Sequence, residues 1–123
     1  MQYMLLIYGD EKSWHSMPKA EITKVLQAYE SYSKELAASG ALRGGSELAP
    51  IASATTVRVR NGKAMTTDGP FAETKEQLGG YHLVECRNLD EALSIAARIP
   101  TLSAGSAIKV RPLMPSPEKT RSC

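Results

Sequence analysis

One carboxylate and one imidazole, Asp68 and His82, carry most of the chemistry open to this chain. Asp68 begins the run Asp68-Gly69-Pro70-Phe71-Ala72-Glu73-Thr74-Lys75-Glu76, and His82 follows within the apolar stretch from Gly80 to Cys86. A carboxylate at a strand end, flanked by Pro70 and Phe71, suits a partly desolvated cleft, where its pKa rises and it serves as a general base. The competing reading is structural, because Asp in Asp-Gly bonds to the nearby backbone and starts a turn. His82 titrates near neutrality and is the candidate proton partner; its competing reading is a buried, hydrogen-bonded imidazole. Glu73, Lys75 and Glu76 form either a charged rim that orients a polar substrate or a solvated surface. Tyr8 and Tyr81 offer hydroxyls to a cleft, or fill the core with their hydroxyls satisfied. Asp68 and His82 are thus the candidate catalytic pair, with Tyr8, Phe71, Glu73, Lys75 and Tyr81 as candidate substrate contacts.

Other chemistries find little support. There is no phosphate-binding glycine loop of the usual spacing, no nucleophile elbow and no His/Cys/Glu cluster with metal-ligand spacing, so no cofactor or metal is expected. His15, beside Trp14, reads as a loop residue covering a helix start. Arg58 and Arg60 share one face of a strand, where they attract an anion or discourage edge pairing. The net charge of +2, without a run of five like charges, points to neither a nucleic acid nor a polybasic membrane anchor. Met4-Leu5-Leu6-Ile7 is too short to span a bilayer. Cys86 and Cys123 do not make a disulfide framework, and a cytoplasmic setting is the simplest reading.

These residues must be positioned by a single domain, for 123 residues suffice for one core. The expected unit covers residues 1–114, followed by a solvated tail over 115–123. Gln2 to Tyr8 reads as a strand with two apolar faces. Pro18 suits the first turn of a helix whose apolar stripe runs through Ile22, Val25, Leu26, Tyr29, Tyr32 or Ser33, and Leu36, with Gly40 as its cap. Ala41 to Leu48 predicts a weaker strand interrupted by Gly44-Gly45. Thr55 to Arg60 and Lys63 to Thr67 flank Asn61-Gly62, a strong two-residue hairpin signal. Gly80 to Cys86 is a further strand. Asn88 and Glu91 form a capping box for a short helix with the stripe Leu89, Ala92, Leu93, Ala96 and Ile99, which Pro100 closes. Ala107 to Pro112 is the last strand.

Without the hairpin, this order is two β-α-β halves, the split arrangement of a ferredoxin-like βαββαβ α+β sandwich. Its helices cover one sheet face. The two central strands are apolar on both sides, so the uncovered face argues for a homodimer with facing sheets.

The chain resembles the YCII-related, or DGPF-domain, family of small bacterial proteins. The resemblance runs from Tyr3-Met4-Leu5-Leu6-Ile7-Tyr8-Gly9-Asp10 through Ala54-Thr55-Thr56-Val57-Arg58 and the Asp68 to Tyr81 segment. It continues to Leu89-Asp90-Glu91-Ala92 and Val110-Arg111-Pro112-Leu113. It implies a ferredoxin-like fold that dimerises as an α/β barrel, and a cleft with acid–base character at or near Asp68. Many relatives are encoded beside extracytoplasmic-function sigma factors, which implies a regulatory or stress setting. Other branches of the wider group carry an early histidine proposed to pair with the aspartate. Neither His15, in a loop before the first helix, nor His82, inside a strand, is placed on that position, so the resemblance does not carry the Asp–His dyad over to this chain. The expected function is binding of a small organic molecule between sheet and hairpin, with proton transfer that needs no cofactor if there is turnover. The alternatives are a non-catalytic ligand sensor or accessory protein linked to such a sigma factor, and a purely structural assembly module.

Overall fold

The computed structural model describes residues 1–69 and 74–115. Phe71, Glu73 and all but the first residue of the expected tail lie outside the described residues. In chain order the elements are β1 (Gln2–Gly9), α1 (Glu11–His15), α2 (Lys19–Ala38), β2 (Leu42–Glu47), β3 (Thr55–Arg60), β4 (Lys63–Asp68), β5 (Gln77–Glu85), α3 (Leu89–Ala97) and β6 (Ala107–Pro112). Short 3₁₀ turns occupy Ile51–Ser53 and Pro100–Ala104.

Four strands form an antiparallel sheet in the order β2-β5-β1-β6. With β3 and β4 set aside, this is the strand order of a ferredoxin-like α+β fold. β3 and β4 pair only with each other, around Asn61 and Gly62, both at positive φ (53° and 77°) as such a tight turn requires. The central pair carries the core. Leu5 of β1 and Val84 of β5 are fully buried, beneath Tyr32 and Leu36 of α2 and Ala92 and Ala96 of α3. A fully buried leucine or valine is worth roughly 1.5–3 kcal/mol, and Ile99, just after α3, is the third large side chain buried to the same degree.

Local chemistry explains several boundaries. Asp10 caps α1 by accepting from Lys12 N (3.1 Å) and Ser13 Oγ (3.0 Å), so the stretch before α2, read as loop from sequence, contains a short helix. Asn88 caps α3 by accepting from Glu91 N at 3.0 Å. The Glu91 carboxylate reaches back to Arg87, one residue earlier than the simple box, accepting from its amide at 3.1 Å and its Nε at 2.8 Å. The expected α3 stripe needs correction. Ala92, Ala96 and Ile99 are buried, whereas Leu89 and Leu93 are each 46% exposed and Ile95 packs against the core instead. Leu89 and Leu93 are four residues apart on one flank of the helix, beside the face that meets the sheet.

Two irregularities shape the sheet end. Between Ile7 and Tyr8 the β1–β5 register shifts: Ile7 pairs with Gly80 and Tyr8 with Leu78, and Gly79 is bulged out. In β2, Gly45 lies opposite His82 with φ +152°. A Cβ at Gly45 would stand 2.6 Å from the Tyr81 carbonyl oxygen and 3.0 Å from His82 Nδ1, so the backbone approaches too closely for any side chain. At Gly44 a Cβ meets nothing within 4 Å. Gly45→Ala is therefore expected to cost about 2 kcal/mol or more in urea unfolding, through strain and overpacking. Gly44→Ala should lose less than about 1 kcal/mol. Equal losses at the two positions would refute the close-approach account.

Candidate functional site

His82 stands opposite Leu5 in the β1–β5 register and, with Leu5, points to the helix-covered face. It is the described polar or charged residue that is buried, at 7% exposure. α2 supplies its cover. The Tyr29 hydroxyl hydrogen-bonds to His82 Nε2, and the two rings stack with centroids 5.6 Å apart. Tyr32 meets the imidazole edge-on at 6.2 Å and donates its own hydroxyl to the Ile95 carbonyl at 3.0 Å. His82 Nδ1, by contrast, is buried without a hydrogen-bond partner.

Burial sets the protonation of this cluster. It lowers the His82 pKa below 6.5, so the ring is neutral at pH 7. Tyr29 is pushed up, first by burial and then by the nearby Glu47 charge. Tyr32 rises to about 12, chiefly by burial and secondarily through Tyr29. The pair is therefore a neutral phenol on a neutral imidazole. In one tautomer Nε2–H donates to the Tyr29 oxygen and leaves Nδ1 with a free lone pair. In the other, Tyr29 donates to Nε2 and Nδ1 carries an unpaired proton.

The imidazole borders an open cleft of about 1660 Å³ at the C-terminal end of β1. This exceeds the roughly 300–1,000 Å³ of a typical ligand site, so a small ligand would fill only part of it. Ile7, Leu26, Leu42 and Ile108 give it apolar walls, with Trp14 and His15 arriving from α1. Tyr8 also borders the cleft, with Lys109 Nζ 5.3 Å from its ring centroid. Gly45 and Gly80 keep the floor free of side chains beside His82.

Of the residues expected from sequence, the cleft unites His82, Tyr8 and Lys75, together with Glu76 and His15. Asp68 is placed elsewhere: it is exposed at the end of β4 and does not line the cleft, so no Asp68–His82 pair forms within the chain. His82 packs under the helices rather than on the opposite sheet face. Tyr81, its neighbour in β5, points to that opposite face and is likewise outside the cleft. The cleft lies between sheet, α2 and loops; the β3–β4 hairpin contributes nothing to it. Sequence reading missed Tyr29 as a functional residue, since it sat on the apolar stripe of α2. Its one available signal was a hydroxyl on that stripe in a chain with a single strand-borne histidine. Among the described residues no group of His, Cys, Asp and Glu could hold a metal ion.

The sequence profile of the YCII-related domain matches residues 1–116. The chain belongs to the YCII family. It is 36% identical over 114 residues to an uncharacterised protein of Rhizobium meliloti (strain 1021), covering 92% of each chain. Among solved structures it is similar to 5-chloro-2-hydroxyhydroquinone dehydrochlorinase (TftG) from Burkholderia phenoliruptrix AC1100, in complex with 2,5-dihydroxybenzoquinone. The TM-score is 0.55 at 17% identity, with 93% of this chain and 94% of that chain covered, a likeness of fold. No described helix of this YCII protein is long and apolar enough to cross a membrane.

A lowered His82 pKa has a defined consequence for stability. Between the folded-state pKa and 6.5, the unfolded chain binds a proton that the folded chain does not. Stability contributed by the neutral ring is thus complete above 6.5, falls as pH drops through this window and levels below the folded pKa. His82→Gln should flatten the slope of Tm against pH in that window. An equal slope in the variant would assign the titration to other groups.

Proposed function

We propose that this YCII protein binds a small, largely apolar organic molecule in the cleft and handles a proton on it through His82, with Tyr29 as the second member of a relay. The observation that carries this reading is the partnerless Nδ1 of a buried imidazole on the cleft wall. A buried polar atom left unpaired costs roughly 1–3 kcal/mol, and a ligand hydroxyl or carbonyl that parts the ring from the Gly45 backbone and hydrogen-bonds Nδ1 would offset that cost. As a base, Nδ1 accepts a proton from the ligand while Nε2–H donates to the Tyr29 oxygen. The imidazolium so formed is desolvated, and it is stabilised by the negative charge left on the ligand, which favours isomerisation or elimination. In this assignment Asp68 takes no step within its own chain.

A second reading, a ligand sensor without turnover, is favoured by the exposure of Asp68 away from the cleft. The planar 2,5-dihydroxybenzoquinone held by the dehydrochlorinase of shared fold supplies a probe. Its titration is expected to shift the imidazole ¹⁵N resonances of His82, and His82→Phe to weaken binding at least tenfold. Binding that leaves those resonances unmoved, or survives His82→Phe, would sink the site. Probe bound without chemical change, across halogenated hydroquinones as well, would select the sensor.

The proposal includes a homodimer with facing sheets. Its support is the half-exposed outer face of Met4, Leu6, Leu78, Tyr81 and Leu83, an apolar patch at the sheet centre. Leu6→Lys with Leu83→Lys should convert a dimer to a folded monomer in sedimentation equilibrium. A dimer unaffected by both changes would place the interface elsewhere.

A further inference from the structure

The β3–β4 hairpin projects as an arm that pairs with no other strand. Val57 and Val59 share one face of it and are 62% and 72% exposed. A lone two-stranded ribbon is marginal in water, and such exposure requires cover. Its tip adds a second problem. Arg60 and Lys63 are direct cross-strand partners, so two like charges face each other, and neither is in an ion pair among the described residues. Like charges directly opposite destabilise a hairpin unless anions approach them.

The complementary surface lies at the root of the same arm. An apolar hollow of about 320 Å³ is lined by Leu48, Ile51 and Leu78 among others. Glu47 and Glu76 adjoin it in sequence, at the ends of β2 and just before β5, and both border the cleft. Neither carboxylate is in an ion pair among the described residues. None of the arm's own residues, Thr55 to Asp68, lines that hollow.

We infer that two copies of this chain exchange arms: the valine face of one hairpin covers the other copy's hollow, while Arg60 and Lys63, rooted on the opposite face at the tip, reach round the end of the ribbon on their long side chains to the partner copy's acidic rim. Two unpaired cations then meet two unpaired anions, and each cleft gains a basic lip from the second copy. The inference rests on the homodimer proposed above and adds the contact that completes its cleft.

A charge-swap test separates the two. One full-length variant carries Arg60→Glu and Lys63→Glu; a second carries Glu47→Lys and Glu76→Lys. Circular dichroism establishes that both fold. In sedimentation equilibrium each alone should dimerise at least tenfold more weakly than the wild type. An equimolar mixture should regain wild-type affinity, because both arm contacts of the mixed dimer are again opposite in charge. Val57→Asp with Val59→Asp should weaken dimerisation without rescue by either. Variants that dimerise like wild type, or a mixture that shows no recovery, would overturn arm exchange and leave the facing-sheet dimer standing. A wild-type chain that stays monomeric at tens of micromolar would overturn both.

Discussion

The pairing of β1 with β5 decides where every chemically interesting side chain of the sheet points. Tyr3 opposite Val84 and Leu5 opposite His82 put four residues under the helices, while Leu6 opposite Tyr81 and Met4 opposite Leu83 take the other face. Side chains alternate with a period of two, so a slip by one residue would carry His82 out of its aromatic cover and drive Tyr81 into the core. The burial of Leu5 and Val84 holds that register. The Tyr29 contact, the approach of Gly45 and the opening of the cleft beside His82 all presuppose it.

That register buries an imidazole at an energetic disadvantage which the cluster only partly offsets. Tyr29 satisfies one ring nitrogen, and the stacked and edge-on tyrosines supply dispersion and quadrupole contacts worth about 0.5–1.5 kcal/mol per pair. The second nitrogen remains unpaired. Arg98 lies 5.7 Å from the Tyr32 ring centroid and pairs with Glu35 at 3.2 Å, but both ion-pair partners are largely exposed, so this pair adds little. Packing, rather than charge, keeps the ring in place.

Much of the architecture was legible in the chain. Helical spacing from Ile22 to Leu36, the Asn61-Gly62 turn and the Asn88 cap each state a local preference that the tertiary structure keeps, and the YCII family is plain in the sequence itself. The site was legible only in part. Alternation says that His82 and Tyr81 face opposite ways, but only the packing of α2 reveals which face is covered. Asp68 looked like a cleft residue because its neighbours are apolar and glycine-led. Its real position follows from the hairpin leaving the sheet, a tertiary event with no local signature. Leu89 and Leu93 misled for a related reason: a four-residue repeat fixes a stripe, not the neighbour that the stripe meets.

The bulge at Gly79 divides β5 into two parts with different freedoms. On one side, Gly80 to Glu85 hold the core register; on the other, Gln77 and Leu78 pair with Gly9 and Tyr8 at the cleft mouth. An irregularity at that point absorbs a change of phase, so residues gained or lost before Gly79 alter the mouth while the strand behind it stays aligned. The fold thereby separates what keeps it together from what lets its binding surface diverge. One scaffold can carry unlike clefts among relatives whose cores remain the same.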